Sequence, residues 1–73
     1  MSAHRIIVVS PLADGWTVIC SGLEPLVFRS GARAEAAAKR LAAALARLGR
    51  AAQVRILDRS RNLVGDQLFP AVT

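Results

Sequence analysis

Side chains able to do chemistry are few in this chain, and their spacing narrows what they can do. His4 is the only histidine, so neither a His-rich metal site nor a Ser/His/Asp triad can be assembled within one chain. Its place ahead of a run of β-branched residues fits a solvent-facing strand start. Cys20 is the only cysteine, which excludes an intrachain disulfide and any need for an oxidising compartment. Strand alternation sets its thiol beside Trp16 and Val18 in the core, away from an activating base. Asp14, Glu24, Asp58 and Asp66 all fall in predicted turns, where carboxylates bond to the backbone, so no paired acid and base is expected. The glycines form neither a dinucleotide fingerprint nor a phosphate loop. No residue is therefore nominated as catalytic, cofactor-binding or metal-ligating. The expectation is a protein that is not an enzyme, with no small-molecule substrate.

One charged pattern remains. Ten basic residues against five acidic give a formal charge of +5 and a pI near 11.5, a balance that favours anionic partners. Arg33, Arg40 and Arg47 recur every seven residues; on a helix they form a stripe about 21 Å long, with Lys39 and Arg50 around the outer face and Arg55, Arg59 and Arg61 gathering near the following hairpin. Such a stripe can track phosphates, and these side chains are the candidate nucleic-acid contacts. The competing reading is a solvated helix flank, because Arg keeps an Ala-rich helix in water while its stem covers apolar edges. Nine of the ten basic residues are Arg and fourteen residues are Ala, a composition that a GC-rich genome produces without any ligand. No aromatic residues interleave with the stripe, so nucleic-acid binding ranks second.

The elements that must position these residues are read from periodicity and turn chemistry. Seventy-three residues at 7.8 kDa make one domain, 1–73, near the lower size limit for a core without staples. His4 to Ser10 reads as a first strand ending at Pro11. Pro11 to Gly15 supplies a turn with Gly15 free to take positive φ, and Trp16 to Ser21 makes the second strand of a hairpin, with Trp16, Val18 and Cys20 on its core face. Leu26 to Arg29 forms a short third strand with Leu26 and Phe28 inward. From Ala32 to Leu48 there is neither Pro nor Gly, which predicts a long helix capped by Ser30 and ended by Gly49. Placing residues at 100° steps puts Ala34, Ala37, Ala38, Leu41, Ala44, Leu45 and Leu48 on its core stripe. Gln53 to Asp58 is a fourth strand with Val54 and Ile56 inward. A short or bulged fifth begins at Leu63, and Leu68-Phe69-Pro70 folds back as a tail over exposed apolar surface. The predicted fold class is α+β: an antiparallel sheet of four or five strands, β-β-β-α-β-β, with one long helix on one face.

The run Gly15-Trp16-Thr17-Val18, with Gly22, Phe28, Ser30, Ala34-Glu35-Ala36, Leu41-Ala42 and Val54-Arg55-Ile56-Leu57-Asp58, resembles the small bacterial domain-of-unknown-function family 2188 over most of the chain. That resemblance implies a β-β-α-β unit with a Gly-Trp-x-Val strand and a Glu-Ala helix opening. The chain departs from the pattern at Ala32, where a capping hydroxyl would be expected, and at Arg59, which follows Asp58 in place of glycine. A weaker likeness is to the β-β-β-α antitoxin half of bacterial toxin pairs. Neither implies a catalytic residue or an established activity.

A single helix shields one side of a sheet, and the reading puts Ile7, Val9, Ile19 and Leu57 on the other. A contiguous apolar patch of several hundred Å² is uncommon on a monomer, so these residues are the candidate oligomer interface and a second copy of the chain is the expected partner. Pairing through the open face and pairing through an edge strand both satisfy the pattern. The apolar run Ile6 to Val9 is too short for a membrane span or a signal-peptide core, which with the cysteine usage predicts a cytoplasmic protein without a membrane partner.

Overall fold

The computed structural model of the chain describes residues 4–72. Its elements run β1 (Arg5–Leu12), β2 (Gly15–Cys20), β3 (Leu26–Phe28), α1 (Gly31–Arg47), β4 (Ala52–Leu57) and β5 (Leu63–Phe69). The five strands form one sheet in the order β3-β2-β1-β4-β5, and α1 packs on one face of it. The α+β class and the single helix on one face are those expected. The sheet is mixed: β1 pairs antiparallel with β2 and parallel with β4, while β2–β3 and β4–β5 are antiparallel.

The helix face of the sheet carries Ile7, Val9, Val18, Cys20, Ala52 and Val54, with Trp16, Phe28, Ile56 and Phe69 packed around them. Register enforces this grouping, since Ile7 lies between Cys20 and Val54, and Val9 between Val18 and Ile56. The assignment of Ile7 and Val9 to the open face is thereby corrected: they are 0% and 1% exposed at the centre of the core. Ile6 and Val8 take the open side instead, because a one-residue shift in a strand exchanges its two faces.

The helix ends where its capping residues place it. Ser30 accepts a hydrogen bond from the Arg33 backbone N–H at 3.0 Å. At the other end Gly49 has φ +84°, its N–H donates to the Ala46 carbonyl and the Arg50 N–H donates to the Leu45 carbonyl, the Schellman pairing that a left-handed residue permits. Between the caps, the buried row is Ala34, Ala38, Ala42 and Ala46, with Leu41 and Leu45 partly buried beside it. The buried stripe is rotated from the expected one: Ala44 and Leu48 are exposed, Ala37 is half-buried, and Ala42 and Ala46 take their place. A row of methyl groups at i, i+4 lets the helix backbone lie close on the sheet, which a row led by Leu48 would not.

Three further corrections concern the strands. β1 continues through Pro11 to Leu12, with Pro11 paired to Trp16. Gly15 does not adopt positive φ; it is required because a Cβ there would collide with the Phe28 carbonyl oxygen where β3 approaches. Leu68 and Phe69 belong to β5, which runs unbroken across Gly65 and Asp66 and carries its irregularity opposite Ile56/Leu57. Asp66 therefore sits in a strand and not in a turn. The chain after it turns toward the helix, where the Val72 N–H donates to the Ala46 carbonyl at 2.8 Å, so it does not cover the open face. Asp58 keeps its turn role, accepting from the Ser60 and Asn62 backbone N–H groups at 2.8 and 3.0 Å across a hairpin with Arg61 at φ 64°.

Candidate functional site

Two surfaces stand out, one on each side of the molecule. The first is the sheet face opposite α1, which no element of the described residues covers. Its residues follow from register, in cross-strand rows: Ile6, Gln53 and Leu68; Ile19, Val8, Arg55 and Asp66; and Val27, Thr17 and Ser10. Ile19 is 44% and Val27 71% exposed. Ile6 and Leu68 are exposed as well, while Val8 and Leu57 are half-buried. Ile19 and Leu57 lie where the sequence placed them.

The open face carries Val8, Ile19 and Val27 toward β3, and toward β5 it mixes Gln53, Arg55 and Asp66 with Leu57 and Leu68. There His4 Nε2 lies 3.2 Å from Gln53 Oε1, and Gln53 Nε2 donates to Asp66 Oδ1 at 2.6 Å. Arg55 is directly opposite Asp66 in the strand register. Ser10 and Thr17, in the β1–β2 part of the open face, are buried with their hydroxyls satisfied: Thr17 Oγ1 donates to the Leu26 carbonyl at 2.8 Å, and Arg61 Nη1 donates to Ser10 Oγ at 3.4 Å. Buried polar groups satisfied within the chain do not repel an apolar neighbour.

The second surface is the solvent side of α1. Arg33, Arg40 and Arg47 are all exposed there, diametrically across the helix from the buried alanine row. Lys39 is instead held by Glu35 at 2.8 Å; an exposed i, i+4 pair of this kind contributes a few tenths of a kcal/mol. Arg50 is exposed just beyond the C-cap. Arg55, Arg59 and Arg61 do not gather into one patch. Arg55 faces out of the sheet, Arg59 stacks over Trp16 with its Cζ 4.7 Å from the ring centroid and donates to the Leu12 carbonyl, and Arg61 reaches Ser10.

Charge is divided between the two sides. Six of the ten basic residues and one of the five acidic ones, Glu35, fall between Arg29 and Arg50. The remaining four of each sign cancel, so the whole formal charge of +5 belongs to α1 and its flanks.

Other concavities offer less. A cleft of about 240 Å³ between β2, β3 and α1 is lined by Val18, Cys20, Leu23, Glu24, Leu26 and Leu41, apolar apart from Glu24 and without the converging polar groups that orient a ligand. Cys20 is buried and unpaired in a disulfide, in the packing role expected for it. Among the described residues no three His, Cys, Asp or Glu side chains come together in a metal-binding group, and no helix is long and apolar enough to cross a membrane. The chain matches no protein-family model, no curated protein and no solved structure.

Proposed function

We propose that this chain is a non-catalytic interaction domain that pairs with a second copy of itself, open sheet face against open sheet face. The observation that carries this reading is the unpartnered face bearing Ile6, Val8, Ile19 and Val27 on a sheet whose one helix is spent on the other side. Five strands about 4.8 Å apart and some six residues long at about 3.3 Å each present roughly 480 Å² in projection. That is modest beside the ≈ 800 Å² each partner gives to a standard interface, so the proposed association belongs to the weak, reversible class.

Electrostatics favours the face over the edge. Two copies of a +5 protein repel, and the face is where charge is locally balanced, Arg55 lying opposite Asp66. Sheets packed about 10 Å apart leave each helix on the outside with both sheets between them, farther apart than the ~8 Å Debye length at physiological salt. The edge strand β5, seven residues long with Leu63 and Val64 exposed, is the competing route.

Light scattering at tens of micromolar separates the two. The wild type should run at twice its 7.8 kDa mass, Ile19→Glu should run as a folded monomer, and Val64→Lys, which charges the edge, should remain dimeric. A monomeric wild type, or loss of the dimer in Val64→Lys with Ile19→Glu unaffected, overturns the proposal.

A further inference from the structure

The self-association reading leaves the helix surface unused, and its chemistry is specific enough to name a partner. Arg33, Arg40 and Arg47 project along about 21 Å of α1, and none of the hydrogen bonds or ion pairs among the described residues engages their guanidinium groups. The one carboxylate on the helix, Glu35, is occupied by Lys39. On either side of the arginine row the helix surface is alanine: Ala36 and Ala43 along one flank, Ala37 and Ala44 along the other. The result is a narrow ridge of unpaired cations on a helix slimmer than the usual 10–12 Å diameter.

We infer that the outer face of α1 seats in the major groove of B-form DNA, with Arg33, Arg40 and Arg47 on backbone phosphates. The groove is about 12 Å wide and admits a helix, and guanidinium groups bind phosphate in bidentate fashion. The deep, narrow major groove of A-form RNA excludes the same ridge. The helix carries no aromatic side chain on which an unpaired base could stack, which disfavours single strands. Contacts to phosphate position a protein without reading sequence, so with the three arginines of the helix on the backbone the expected binding has little sequence preference. Face-to-face pairing points both helices outward, so the two readings are compatible and fail separately.

Fluorescence anisotropy with a labelled 20-base-pair DNA duplex tests this. Three neutralised phosphates give a log–log salt slope near −2.7, about a 40-fold loss of affinity between 50 and 200 mM salt. The triple variant Arg33→Gln, Arg40→Gln, Arg47→Gln should keep its circular dichroism, bind at least tenfold more weakly at 50 mM and lose most of the slope. The charge-matched triple Arg5→Gln, Arg29→Gln, Arg59→Gln, which lies off both the arginine row and the open sheet face, should retain both. No binding by the wild type at 50 mM, equal losses in the two triples, or an RNA duplex of the same sequence bound as tightly would each overturn the inference.

Discussion

Exchanging two alanines for leucine, one on each side of α1, tests how the helix sits on the sheet. Ala42 is fully buried in the row that touches the strands, whereas Ala44 is exposed although it lies on the stripe that 100° spacing selects from the sequence. Leucine adds three carbon atoms at either position. At Ala42 they have no space, and overpacking of a filled site costs about 1–3 kcal/mol. At Ala44 they meet water, and with nearly equal helix propensities the change should stay within about 0.5 kcal/mol. A domain of this size has a total stability of roughly 4–11 kcal/mol, so the first variant loses a large fraction of it. Urea unfolding followed by circular dichroism at one fixed protein concentration reads the difference, the fixed concentration being required because the proposed dimerisation would contribute to the midpoint. With an m-value near 1 kcal/mol/M, the Ala42→Leu midpoint should fall by about 1–3 M and the Ala44→Leu midpoint should barely move. If Ala44→Leu proves the more damaging of the two, the packing described for α1 is wrong.

Two further outcomes follow from local structure. Gly49→Ala places a Cβ on a residue at φ +84° and should cost about 1–2 kcal/mol by the same urea assay. Cys20, buried on the helix face, should resist an exposed-thiol reagent in the folded protein and react fully once denaturant is added; rapid labelling of the native state would contradict its placement in the core.

What could be read in the sequence depended on whether polar residues marked the period. Thr17 within β2 and Ser21 just after it break the apolar run, so the face shared by Trp16, Val18 and Cys20 is recoverable from alternation alone. In β1 the run Ile6-Ile7-Val8-Val9 is apolar at every position and either parity was admissible. Pairing with β4, which is parallel and far away in the chain, decided it for Ile7 and Val9. Ile19 and Leu57 are legible as open-face residues, whereas Ile6 and Val8 lack the polar marker that would place them there. The helix bounds were legible because Ser30 and Gly49 carry distinct capping chemistry. Its rotation was not, since alanine dominates both its buried and its exposed sides and blunts the periodic signal. In β5, Gly65 and Asp66 look like a break, yet Asp66 is held by Gln53 across the ladder, a contact that no local pattern announces. The arginine row needed only its spacing, and all three of its members are exposed.

Isotope-filtered NMR on a mixture of ¹³C-methyl-labelled and unlabelled chains asks most directly what occupies the bare side of the sheet. Intermolecular contacts should run from the methyl groups of Ile6, Val8, Ile19 and Val27 in one copy to the same set in the other. Absence of any such cross-peaks at millimolar concentration, or contacts restricted to Leu63 and Val64, would contradict the account.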